Sequence, residues 1–126
     1  RFRAAISGAG SALQSAMYGS DQYVFQYEAE LGQPWRNKAR WDRVSRAFWT
    51  ADRITTPTLF LGGANDFNVP ISGGEQMYQA LVSRGVPTQL IVYPGETHTI
   101  TRPSFVFDRV QRYLAWYAKY LTGTRP

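Results

Sequence analysis

Residues Pro57 to Ile100 read PTLFLGGANDFNVPISGGEQMYQALVSRGVPTQLIVYPGETHTI, and the succession of apolar runs and turn residues within them decides the fold. Thr58 to Leu61 is a short, nearly continuous apolar run closed by Gly62-Gly63, the pattern of a parallel strand buried on both faces. Asn65-Asp66-Phe67-Asn68-Val69-Pro70 has the composition of a tight connection, which puts Asp66 at or just beyond the carboxyl end of that strand. Ser72-Gly73-Gly74-Glu75 matches a capping box and predicts a helix start, with the Ser hydroxyl and the Glu carboxylate each taking an orphan amide. Met77, Tyr78, Leu81 and Val82 form its apolar stripe, and Gly85 followed by Val86-Pro87 is its stop signal. A second strand, Gln89 to Tyr93, ends at Pro94-Gly95, and the loop beyond carries His98, the only histidine in the chain. Strand, helix and strand of these lengths make a right-handed crossover. Both strand ends, and with them Asp66 and His98, then fall on one rim of a parallel sheet, where open α/β sheets carry their sites.

An Asp after one strand and a His after the next is the order that closes a Ser…Asp…His triad. A histidine acting as general base needs one ring nitrogen facing the nucleophile and the other held by a buried carboxylate, which fixes the tautomer and stabilises the imidazolium. The same residues have a plainer reading, Asp66 as the acceptor of an Asx-turn and His98 as a solvated loop side chain. Pattern alone leaves both open.

The residues themselves carry a resemblance. Pro57-Thr58-Leu59-Phe60-Leu61-Gly62-Gly63, Asp66-Phe67-Asn68-Val69-Pro70, Gly85-Val86-Pro87 and Tyr93-Pro94-Gly95 with His98 three residues later are colinear with the C-terminal catalytic portion of prolyl oligopeptidase family serine peptidases. The chain resembles the acylaminoacyl and dipeptidyl peptidase branch of that family along its whole length. Phe2-Arg3-Ala4-Ala5-Ile6-Ser7 looks like the strand after the nucleophile helix, and Arg109 to Leu121 like the closing helix. The resemblance implies an α/β fold, the C-terminal part of an α/β-hydrolase with a parallel sheet, flanking helices and an incomplete set of strands. Residues 1–126 would be one fragment of a peptidase catalytic domain, with Asp66 as triad acid and His98 as triad base.

Two departures shape the functional expectation. The nucleophile of the family sits in a G-x-S-x-G elbow, and no such motif occurs here. Ser7, in Ala5-Ile6-Ser7-Gly8-Ala9, and Ser11, in Ala9-Gly10-Ser11-Ala12-Leu13, read as ordinary strand-end and loop serines. Thr99 stands where the family has Gly after the His, which would crowd the loop. The nucleophile is therefore expected on a missing N-terminal part of a parent protein, which becomes the partner of this chain. A peptide is the expected substrate, and the chain alone is expected to be inactive. Two alternatives share these residues: an esterase or other acyl hydrolase, and a non-catalytic half-domain that forms a homo-oligomer through its exposed strand edge.

Composition fits such a piece. The chain has 126 residues and begins at Arg1 rather than Met, whereas a complete sheet of this class needs roughly twice that length. The net charge of +5 arises from 14 Lys and Arg against 9 Asp and Glu. The arginines are scattered and follow no nucleic-acid motif, so they read as a solvated basic face and nucleic acid is not an expected partner. There is no cysteine, so disulfides and thiolate metal sites are excluded. A single histidine without an acidic cluster at ligand spacing argues against a metal, and no cofactor is implied. No apolar run approaches the roughly 20 residues of a membrane span, so no membrane association is expected.

Before the central stretch, Phe2 to Ser7 reads as a strand, and Ala12 to Trp49 as an aromatic-rich excursion with helices near Asp21–Leu31 and Lys38–Phe48. Asp21 is a candidate cap of the first, Gly32 its stop and Pro34-Trp35 a turn. By the resemblance this region walls the substrate pocket, which makes Tyr18, Tyr23 and Tyr27 candidate binding residues; their spacing equally suits a helix face packed on the sheet. After the stretch, Pro103 starts a long helix with Val106, Val110, Tyr113, Leu114, Tyr117 and Leu121 as its expected sheet-facing stripe, and Thr122 to Pro126 as a frayed end.

Overall fold

The computed structural model describes residues 2–122, so most of the expected frayed C-terminal end, residues 123–126, lies outside the described residues. Strand β1 (Ala5–Gly8) comes first, then an excursion carrying helices α1 (Val24–Leu31), α2 (Lys38–Val44) and α3 (Arg46–Trp49). Strand β2 (Thr58–Gly63), helix α4 (Ser72–Ser83), strand β3 (Thr88–Tyr93) and helix α5 (Pro103–Tyr117) follow, α5 running on into a wider π-type turn at Ala118–Thr122.

The three strands form one parallel sheet in the order β1-β2-β3, with Ala5 opposite Thr58 and Thr58 opposite Thr88. As the central strand, β2 is buried along its whole length, and its alternating side chains feed two cores. Leu59 and Leu61 join Tyr93, Ile100 and Trp116 beneath α5, whereas Phe60 joins Ala51, Met77 and Leu81 beneath α4. Each such side chain contributes about 1.5–3 kcal/mol by leaving water.

Several element ends differ from the sequence expectation for local reasons. The β1 ladder starts only at Ala5, whose amide donates to the Pro57 carbonyl at 2.9 Å. Pro57 has no N–H to extend it upstream, and Phe2 stays 72% exposed. Helix α4 begins at Ser72 as expected, but the capping box does not form: Ile71 already has helical dihedrals and occupies the cap, so Ser72 lies inside the helix. The Gly73 and Glu75 amides go instead to the Pro70 and Ile71 carbonyls. At the other end Gly85, at φ +69°, closes a Schellman motif, with the Val86 amide on the Leu81 carbonyl at 3.0 Å and the Gly85 amide on that of Val82 at 2.9 Å.

The helix expected over Lys38–Phe48 is split in two at Ser45. This residue is fully buried, and its hydroxyl accepts the Gln14 amide at 2.9 Å. The excursion is centred on Trp41, 1% exposed, whose indole N–H donates to the Gly32 carbonyl at 2.8 Å. Tyr18 and Tyr27 pack edge-on to it at centroid distances of 5.6 and 5.7 Å. On α5 the expected stripe is two stripes merged by one periodicity. Phe105, Val106, Tyr113 and Trp116 meet the sheet core. Val110, Leu114 and Tyr117, with Leu121 in the turn beyond and Phe107, face outward. Among the described residues no helix is long and apolar enough to cross a membrane.

Candidate active site

The carboxyl ends of β2 and β3 are sewn together by backbone hydrogen bonds. The Ala64 amide donates to the Tyr93 carbonyl and the Asn65 amide to the Glu96 carbonyl, both at 2.9 Å. Close approach depends on Gly63, where a Cβ would lie 2.2 Å from the Thr97 carbonyl oxygen and 2.4 Å from that of Glu96. Only a residue without a side chain lets the two loops pass at this distance. Tyr93, at the end of β3, hydrogen-bonds Asp108 of α5 through its hydroxyl at 3.0 Å. Burial, and then this contact, push its phenol up to about 12.

On this frame Asp66 and His98 meet. His98 Nδ1 lies 2.9 Å from Asp66 Oδ2, while the Asn68 and Val69 amides donate to Asp66 Oδ1, each at 2.8 Å. Asp66 is therefore the acceptor of an Asx-turn and the partner of the histidine at once. Its side chain is 1% exposed and that of His98 is 45% exposed. With the shared proton on Nδ1, Nε2 carries the basic lone pair. The ring borders a cavity of about 240 Å³ above the ends of β1 and β2, lined also by Gly8, Ala9, Gly62, Arg109 and Tyr113.

Ser7 and Ser11 lie elsewhere. They line a separate cavity of about 70 Å³ with Phe60, Gly73 and Met77, on the α4 face of the sheet, whereas the His98 cavity opens on the α5 face. Of the three tyrosines, Tyr23 reaches the Asp66 loop. Its hydroxyl contacts Asn68 Oδ1, which also receives the Gln22 side-chain amide at 2.7 Å. Tyr18 and Tyr27 turn to Trp41, and their hydroxyls hydrogen-bond Glu28 and Asp21. Those carboxylates raise both phenols, with burial the larger cause for Tyr27. Asp21 also accepts the Tyr23 amide at 2.9 Å, just ahead of α1.

One residue of this neighbourhood escaped the sequence reading. Glu96 is only 6% exposed and accepts hydrogen bonds from Thr101 and Arg102 across the His98 loop. The backbone bond from Thr101 is the main cause holding its carboxyl below the usual range. An acid two positions before the sole histidine was the available signal. Among the described residues no group of three or more His, Cys, Asp or Glu side chains is placed to hold a metal.

Comparison with known proteins follows the same outline. The family model described as "Prolyl oligopeptidase family" matches residues 1–124. The chain is 38% identical over 68 residues to an acylamino-acid-releasing enzyme of Arabidopsis thaliana, a match covering 54% of this chain and 9% of that protein. It is 28% identical over 123 residues to a dipeptidyl-peptidase 5 of Arthroderma otae, covering 95% of this chain and 17% of the relative. A puromycin-hydrolyzing peptidase of Mycobacterium tuberculosis superposes with a TM-score of 0.86 at 25% identity, over 99% of this chain and 19% of that one. The acylaminoacyl peptidase of Pyrococcus horikoshii gives 0.88 at 17% identity, over 98% and 21%. The chain thus spans about a fifth or less of the length of each protein it matches here.

Proposed function

The chain belongs to the prolyl oligopeptidase family and has its α/β-hydrolase fold, and on that premise we propose that it supplies the acid and base of a serine peptidase. The nucleophile serine is contributed by a part of the parent protein outside residues 1–126. Its hydroxyl attacks the carbonyl of a peptide bond while His98 Nε2 takes the hydroxyl proton. Collapse of the tetrahedral intermediate breaks the C–N bond, and His98 returns the proton to the leaving amine. Water then attacks the acyl-enzyme with His98 again as base. Asp66 keeps the proton on Nδ1 and stabilises the imidazolium, its other oxygen occupied by two backbone amides.

The observation that carries this reading is the hydrogen bond that His98 Nδ1 makes to Asp66 across the ends of adjacent strands, with the imidazole 45% exposed beside a cavity. Tyr23 is our choice for the wall of the substrate pocket, with Tyr18 and Tyr27 shaping it from behind. Alone, residues 1–126 would not turn over substrate, because loss of the nucleophile in a comparable triad costs on the order of 10⁶ in turnover. The test is reaction of the full-length protein with a fluorophosphonate probe, alongside hydrolysis of peptide and acyl-ester substrates. Labelling that disappears in His98→Ala supports the reading. Faster turnover of esters than of peptides would move it to an acyl hydrolase, and absence of labelling in the wild-type protein would end it.

A further inference from the structure

We propose that Glu96 is a positioning residue for His98, acting by closing the loop on which the histidine is carried. Its Oε2 accepts hydrogen bonds from the Thr101 amide, from the Thr101 hydroxyl at 3.3 Å and from the Arg102 amide at 3.3 Å, while Arg102 Nε lies 3.9 Å from Oε1. These contacts tie residue 96 to residues 101 and 102, with His98 inside the ring so formed. The Glu96 carbonyl simultaneously accepts the Asn65 amide, the residue next to Asp66. One residue therefore clasps the His98 loop to itself and to the loop of the acid.

The other side-chain ties on the histidine's loop are few. Among the described residues, Thr97 to Thr99 are exposed, and their one hydrogen bond through a side chain is that of His98 to Asp66. Ile100 anchors the far side by burial in the α5 core. A buried carboxylate that accepts three hydrogen bonds is a stiff clasp, because releasing it leaves a desolvated charge unmatched. Its removal frees the loop to drift, and a displacement of about 1 Å at a reacting group costs on the order of 10²-fold in rate.

The proposal rests on His98 acting as the base, and its test separates the two. In the full-length protein, Glu96→Ala is expected to lower kcat 10- to 100-fold with KM within about twofold. Glu96→Gln, which retains an acceptor oxygen, should recover most of that loss and serves also where the alanine variant folds poorly. Active-site titration with the fluorophosphonate probe puts kcat on a per-site basis, so a fall caused only by unfolded protein is removed. A variant with lowered thermal stability but unchanged kcat per titrated site overturns the proposal and leaves Glu96 a structural residue. A wild-type protein that never labels sinks the peptidase reading instead. In that case the low-field proton resonance of the Asp66–His98 hydrogen bond, assigned by its loss in His98→Gln, still decides. Its weakening in Glu96→Ala supports positioning, and its persistence refutes it.

Discussion

The segment from Pro57 to Ile100 and the excursion from Ala12 to Trp49 are of similar length and are held together in opposite ways. The first is a backbone structure, in which a parallel ladder, a Schellman stop and amide-to-carbonyl stitches between loops fix where Asp66 and His98 lie. The second is a side-chain structure, short helices gathered around one buried indole and one buried hydroxyl. Backbone-built geometry tolerates exchange of most side chains but not of the glycine that lets two carbonyls pass. Side-chain-built geometry fails when its central ring is lost.

Four substitutions in the full-length protein sharpen or break that contrast. The largest effect is expected for Asp66→Asn, which keeps the loop and removes the charge: kcat should fall by about 10⁴ with KM little changed. A loss below tenfold in steady-state assays would mean that the hydrogen bond to His98 does not orient a base. Next, Trp41→Ala should cost about 3–5 kcal/mol and strip amide-exchange protection from α1 and α2 while β2 and β3 keep theirs. Joint loss of protection in both regions would abolish the distinction. Gly63→Ala pushes a methyl group into the Glu96 and Thr97 carbonyls, and overpacking of this kind costs about 1–3 kcal/mol. Because it moves the His98 loop, kcat should fall with it, and unchanged turnover would show that the loop adapts freely. The smallest effect belongs to Asn68→Ala, which cuts the tie from Gln22 and Tyr23 to the Asp66 loop, at about 1 kcal/mol. A double-mutant cycle with Tyr23→Phe measures whether the two regions are coupled at all.

The same contrast explains what could be read before the structure. The crossover was legible because strand burial, turn chemistry and the glycine stop are local signals that agree with the global fold; topology put Asp66 and His98 on one rim, and their pairing was what the family resemblance implied. The capping box was misleading because Pro70-Ile71 start the helical turn one residue early, which no four-residue motif records. The break at Ser45 was hidden because the partner of its buried hydroxyl, the Gln14 amide, is far away in sequence. On α5 apolar residues occupy both faces, so periodicity could not say which face meets the sheet, and Trp116 was overlooked. Glu96 was invisible as a clasp because a buried glutamate and a solvated one look alike until its donors are placed.

Asp66 and His98 stand only 32 positions apart, joined by one strand-helix-strand unit. Closing a loop of that size costs an entropy that rises only with the logarithm of its length. The pair is therefore brought together within one crossover unit, while β1 and α5 complete the burial of the strands that hold it. To an engineer this makes Pro57–Arg102 the segment to keep unbroken in any exchange of parts, since both loops and the strands that carry them lie within it.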